Sequence, residues 1–177
     1  SALEVLHKEG VYHRDIAPDN ILLGDDGLPV LLDFGAARRV IGEGNKALTS
    51  IMKPHYAPLE QYADQSAMRQ GPWTDLYALG CIGFQLATGK TPFSGDALKL
   101  AVSHCHDAPP APTPANSDYP EGFEAWVLAG LDAYDRLGGQ HAMALLRDLE
   151  GFCAAREHAP AAARFADIEV RLARFIQ

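Results

Sequence analysis

Cysteine is scarce in this sequence. Its 177 residues hold three, Cys81, Cys105 and Cys153, set far apart. An odd, sparse set is no disulfide scaffold and fits a reducing compartment, so the expected location is cytoplasmic. Positive charge is also short: 15 basic residues face 23 acidic ones, for a net charge of −8. That deficit argues against nucleic acid or an anionic membrane as the main partner. Long apolar runs are lacking. The most apolar stretch, LYALGCIGFQLATG, is too short to cross a bilayer and holds three glycines. No secretory leader is visible. His104, Cys105, His106 and Asp107 stand in a row, and four consecutive helical residues cannot face one metal ion.

What is present is an ordinary globular composition, 47% hydrophobic and 21% charged. The length suits one domain with a core, or a large part of a bigger one. SALEVLHKEG reads as the last turns of a helix ending at Gly10. The chain opens on Ser1 in mid-pattern, so the expectation is a fragment with further sequence upstream. Residues 11–13 read as a short extended piece. ILL (21–23), the turn GDDG (24–27) and PVLLDF (29–34) predict a β-hairpin. Residues 35–58 lack sustained periodicity, and a loop that long is usually functional or disordered. Thr74 as a cap predicts a helix running to about Thr88, apolar nearly all round and therefore a buried central post. Residues 95–106 predict a surface helix and the Pro-rich 108–120 a connector. Residues 121–135, 138–155 and 159–176 predict three more helices. The expected fold class is α+β, mainly α, with one small hairpin near the start.

HRDIAPDN, residues 13–20, carries the chemistry. Pro18 disfavours an ordinary helix there, and a loop can turn two side chains toward one point. Asp15 is a carboxylate able to orient an attacking hydroxyl or accept its proton. Asn20 offers an amide oxygen, a hard ligand suited to Mg²⁺. Asp33 ends the second hairpin strand, and the fold-back of the hairpin brings it toward Asn20 at one edge. Two oxygen donors plus substrate phosphates are the usual way a protein holds Mg²⁺, so the set points to phosphoryl transfer.

HRDIAPDN followed by Asp33-Phe34-Gly35 resembles the catalytic loop and metal-binding motif of protein kinases. YAPLEQY (56–62) resembles the family's Ala-Pro-Glu segment, with Leu59 inserted before Glu60, and TDLYALG (74–80) its buried central helix. The style is similar to bacterial serine/threonine kinases. The resemblance implies a kinase C-terminal lobe over residues 1–150, with a catalytic loop at 13–20, DFG at 33–35 and an activation segment at 33–60. Residues 151–177 would be a helical extension. It implies Asp15 as catalytic base, Asn20 and Asp33 as Mg²⁺ ligands and Leu22 as the floor under adenine. His13 and Phe34 would stack in an internal spine anchored by Asp75, beside Gly35. Arg14 would meet a phosphate or an acid on the activation loop, with Thr49 and Ser50 as candidate phosphosites. Arg136 would pair with Glu60. The implied cofactors are ATP and Mg²⁺. The implied partners are a protein substrate bearing Ser or Thr and the chain's own N-terminal lobe, with no membrane contact in this segment. The alternative is a pseudokinase or interaction module of the same fold.

The chain departs from the family in two ways. The Gly-rich phosphate loop, the strand lysine and its helix glutamate, all N-terminal-lobe parts, do not occur in residues 1–177. Closer in, serine/threonine kinases usually carry Lys two residues after the catalytic Asp and a Thr ahead of Ala-Pro-Glu. Here Ala17 fills the first position, and IMKPH (51–55) has no Thr. Lys53 is the expected substitute for the lost charge, reaching across as a flexible point charge, and Ala17→Lys would then rescue its loss. Ala17 also occurs in tyrosine kinases, but Pro18 fits the serine/threonine form. Residues 1–177 alone are expected to bind ATP weakly and not to turn over; phosphorylation of a generic substrate by this segment would overturn that expectation.

Overall fold

The computed structural model describes residues 2–34, 38–39, 53–62, 70–112 and 122–132. The helices expected at 138–155 and 159–176 lie outside them. Helix α1, Ala2–Lys8, buries Leu3 and His7. It stops at Gly10, which takes a left-handed φ of 67° that a glycine adopts without a steric penalty. Strand β1, Val11–Tyr12, follows.

A 3-10 turn over Pro18–Asn20 has Pro18 in its first turn, where a missing N–H costs nothing. It leads into strand β2, Ile21–Leu23, which pairs antiparallel with β3, Pro29–Leu31, in the register Ile21↔Leu31, Leu22↔Val30 and Leu23↔Pro29. The hairpin matches the reading of its turn residues: Gly27 sits at φ 73°, and the Gly24 N–H closes on the Leu28 carbonyl at 2.9 Å. The second strand is shorter than expected. One further ladder bond, Leu32 N–H to the Asn20 carbonyl at 2.8 Å, is made before Asp33 turns left-handed at φ 56° and ends the extended run. Strand β4, Arg38–Arg39, pairs antiparallel with β1, a contact the sequence did not announce.

Helix α2, Leu59–Tyr62, is one short turn. Helix α3, Pro72–Thr88, is the post on which the rest is built. Its N-cap is Gly71 rather than Thr74. Thr74 sits inside the first turn, where its Oγ1 accepts from the Gly71 N–H at 3.2 Å and donates to Glu60 Oε1 at 2.7 Å. Its end is a left-handed Gly89, whose N–H bonds the Gln85 carbonyl. One side of α3 gives Leu76, Ala78 and Ile82 to a cluster with Leu3 and Ile16. The other gives Tyr77, Cys81 and Phe84 to a cluster with Trp126, Val127 and Leu131. A helix that packs on two sides must be apolar nearly all round, as its sequence is.

Helix α4, Ala97–His106, is capped by Asp96, whose carboxylate accepts from the Lys99 N–H at 2.9 Å. It buries Leu100, Ser103 and His104 while Leu98 and Val102 stay exposed. Helix α5, Phe123–Leu131, crosses α3 where Gly80 meets Gly130. No helix among the described residues is long and apolar enough to cross a membrane.

Two expectations follow from this packing. A Cβ at Gly80 would lie 3.0 Å from the backbone carbon of Gly130 and 3.0 Å from the Leu131 nitrogen. Backbone cannot step aside as a side chain can. Gly80→Ala should therefore destabilise by ~1–3 kcal/mol, overriding alanine's helix-propensity gain of ~1 kcal/mol. A rise in the urea midpoint would contradict this. The second concerns His104, enclosed by Tyr77, Tyr62 and Phe93, with Tyr77 Oη 2.5 Å from its Nδ1. Burial is the main cause pushing its pKa down from 6.5 to about 4. Between those values the unfolded chain binds a proton that the folded chain refuses. His104 thus supports the fold fully above about pH 6.5, and less as pH falls toward 4. Melting curves across that window should steepen their fall on acidification, and His104→Gln should flatten it; identical pH slopes would refute the assignment.

Candidate functional site

The loop that follows β1 is fixed from beneath by one carboxylate. Asp75, in the first turn of α3, is 1% exposed. Its Oδ2 accepts from the His13 N–H at 2.9 Å and its Oδ1 from the Arg14 N–H at 2.7 Å. His7 Nε2 reaches Oδ2 at 2.8 Å. Arg14 is held at φ 69°, a left-handed conformation that costs a non-glycine residue ~1 kcal/mol or more. Its carbonyl is gripped from the other side by Gln61 Nε2 at 2.6 Å. The peptide that carries Asp15 is therefore clamped at both ends of Arg14.

His13 is fully buried. Its Nε2 lies 3.0 Å from the Leu32 carbonyl, which can only accept, so Nε2 carries the proton. Nδ1 is then the acceptor facing the Asp15 N–H at 3.4 Å. The His13 ring meets Phe34 edge-on at 5.1 Å between centroids. Loop and hairpin are thereby tied together across the chemistry-bearing edge.

At that edge Asn20 Nδ2 donates to both the Asp15 carbonyl, at 2.7 Å, and Asp15 Oδ2, at 2.8 Å. With its nitrogen committed, the amide oxygen is the atom left to bind a cation. Asn20 pairs through its backbone with Leu32, so Asp33 begins at the same end of the hairpin. Its left-handed backbone turns it out of the strand. Asp15 and Asn20 thus meet within one loop, and Asp33 follows the strand that pairs beside Asn20.

Lys53 joins them from the far segment. Its Nζ lies 4.0 Å from Asp15 Oδ2 and forms an ion pair with Asp19. Arg14, Asp15, Lys53, Tyr56, Ala57 and Gln61 are among the residues lining a small, open cleft here.

Other expected residues lie further off. Leu22 is exposed and lies opposite Val30, also exposed, so the hairpin presents an open apolar face. Glu60 is fully buried; its Oε1 accepts from Thr74, and burial raises its carboxyl pKa. Arg136, the expected partner of Glu60, lies outside the described residues, as do Gly35, Thr49 and Ser50. Ala17 is fully enclosed, which corrects one expectation. A lysine there would have to displace its surroundings, so Ala17→Lys is no clean rescue. Sequence reasoning also overlooked Asp19, Gln61 and His7. Asp19 lay inside the quoted motif, and its charge was the available signal. Gln61 gave none, because its partner is 47 positions away.

Comparison with known proteins bears on the whole. The protein kinase domain model matches residues 1–124. Serine/threonine-protein kinase PknE of Mycobacterium tuberculosis is 32% identical over 132 residues, covering 74% of this chain and 23% of that protein. The probable serine/threonine-protein kinase PknB of Lactococcus lactis is 34% identical over 131 residues, covering 72% and 20%. A probable serine/threonine-protein kinase of Clostridium perfringens is 32% identical over 155 residues, covering 84% and 22%. The matched stretch thus spans under a quarter of these relatives' length. With the mostly helical architecture and its small antiparallel sheets, the match shows that this chain belongs to the protein kinase domain family.

Proposed function

We propose that this chain supplies the C-terminal lobe of a serine/threonine protein kinase, transferring the γ-phosphoryl group of ATP to Ser or Thr hydroxyls of a protein. The observation that carries the reading is the hydrogen-bonded Asp15–Asn20 pair, on a loop held from beneath by Asp75. Asp15 orients the acceptor hydroxyl and takes its proton as the oxygen attacks phosphorus. Asn20, through its amide oxygen, and Asp33 hold Mg²⁺, which when bound neutralises charge on the phosphate oxygens. His13 and Phe34 keep the loop and hairpin in register. Arg14 meets an acidic or phosphorylated group on the activation segment, with Thr49 and Ser50 as its candidate sites. Glu60 and Arg136 pair to brace that segment.

Leu22 and Val30, open on the hairpin, form the floor for adenine under the chain's own N-terminal lobe. The apolar exposure of Leu22, Val30, Leu32 and Phe34 supports a partner lobe over this face. The partner surfaces are thus ATP, the protein substrate and that lobe. The sparse cysteines, with Cys81 buried and free, support a cytoplasmic setting.

The test is transfer of labelled γ-phosphate to a Ser/Thr peptide by the full-length protein, with Mg²⁺ present or chelated. Asp15→Asn should lower kcat by ~10²–10⁴-fold with ATP still bound, and Asp33→Asn should abolish Mg²⁺-dependent transfer. Wild-type protein that binds a partner yet transfers nothing would favour the interaction-module reading instead.

A further inference from the structure

We propose that Lys53 is a catalytic residue meeting the non-bridging oxygens of the transferred phosphoryl group, and that Asp19 positions its ammonium beside Asp15. The inference rests on the phosphoryl-transfer reading above and adds a role to two residues at the same edge.

The placement of Lys53 is built, not incidental. Its carbonyl accepts from the Tyr56 N–H at 3.0 Å and the Ala57 N–H at 3.1 Å, which fixes its backbone in a turn. The next residue is tied down as well, since Tyr62 Oη donates to the Pro54 carbonyl at 3.0 Å. The side chain is only 24% exposed and ends between two carboxylates, Asp15 at 4.0 Å and Asp19 in direct contact. A lysine on a free loop would instead extend into solvent and keep its rotamer freedom.

The two carboxylates differ. Asp15 is 18% exposed and already accepts from Asn20, whereas the Asp19 side chain is 65% exposed. An ion pair with so exposed a partner is weak and readily exchanged. A phosphoryl group entering the cleft concentrates more negative charge than Asp19, on three oxygens close together. The ammonium can therefore leave Asp19 for the phosphoryl oxygens by a short swing from an anchored backbone. The catalytic loop offers no alternative two residues past Asp15, because Ala17 is fully enclosed.

In the step itself the acceptor hydroxyl oxygen bonds to the γ-phosphorus. The bond from that phosphorus to the bridging oxygen breaks, and its electron pair leaves on ADP. The hydroxyl proton passes to the Asp15 carboxylate. Lys53 stays an ammonium throughout and donates hydrogen bonds to the moving phosphoryl oxygens. Between turnovers Asp19 holds that ammonium at the edge, where it neither blocks the cleft nor closes onto Asp15.

The experiment measures kcat and KM for ATP and peptide in the full-length protein, with melting temperature recorded for every variant. Lys53→Met should lower kcat by ~10²-fold or more while KM for ATP stays within ~3-fold, because the contact is made in the transition state. Lys53→Arg should recover part of the rate, and ethylammonium should partly rescue Lys53→Gly. Asp19→Asn should lower kcat by ~3–10-fold alone and by nothing further in the Lys53→Met background, since positioning a residue that is absent has no effect. A Lys53→Met enzyme with wild-type kcat would overturn the catalytic role. Fully additive losses in the double variant would overturn the role of Asp19. Wild type and Asp15→Asn separate the two levels: if wild type transfers no phosphate, the phosphoryl-transfer reading fails; if wild type is active, Asp15→Asn inert and Lys53→Met normal, only this inference fails.

Discussion

The Asp75 carboxylate is the interaction on which the rest depends. Buried in the first turn of α3, it accepts from two successive backbone N–H groups and meets the His7 imidazole. Those two N–H groups bracket the turn into Arg14, whose left-handed backbone would not persist unsupported. Stripped of Asp75, the loop would leave the buried His13 N–H unpaired, at ~1–3 kcal/mol, and the half-buried Arg14 N–H without its partner. A favourable site for an acid at a helix N-terminus thereby becomes the foundation for chemistry one residue away. The loop can be irregular because what holds it is a helix packed on two sides.

Rigidity passes outward from that point through contacts of different kinds. Gln61 closes on the Arg14 carbonyl, and Thr74 links α3 to Glu60 in the segment that carries Gln61. Helix α3 thus supports the loop directly through Asp75 and indirectly through Thr74, Glu60 and Gln61. The close approach of Gly80 to Gly130 seats α5 against the far side of the same helix. A disturbance at that crossing acts on the post beneath the loop. Core packing and site geometry are in this sense one structure.

Charge is arranged with the same economy. The edge formed by that loop holds Asp15 and Asp19, in a chain whose net charge is already −8. Such an edge attracts metal ions and repels phosphate, so cations must be brought in. Among the described residues, Lys53 is brought from the segment after residue 52 against both of those carboxylates. Its turn is anchored by Tyr62, and Pro54 and Tyr62 in turn lie near the aromatic group around His104 on α4. Helix α4 therefore stands behind the basic residue much as α3 stands behind the acidic one.

Local features were legible in the sequence because their causes are local. A Gly/Asp turn between apolar runs announced the β2–β3 hairpin, Gly10 the end of α1, and all-round apolarity the burial of α3. HRDIAPDN was legible too, because Asp15 and Asn20 share one short loop and their hydrogen bonds span five positions. Thr74 was placed at the N-cap itself, whereas its hydroxyl acts from the first turn, accepting from the Gly71 N–H and donating to Glu60 at once. The β1–β4 pairing, the grip of Gln61 on Arg14 and the approach of Lys53 to Asp19 had no such signal. Each joins residues tens of positions apart, and which side chains then meet depends on how whole elements pack. Sequence by itself determined the residue types and the short loop that chemistry needs. Tertiary structure alone decided which distant side chains clamp that loop and which carboxylate the ammonium of Lys53 meets, because those contacts exist only once α3 has fixed both segments in space.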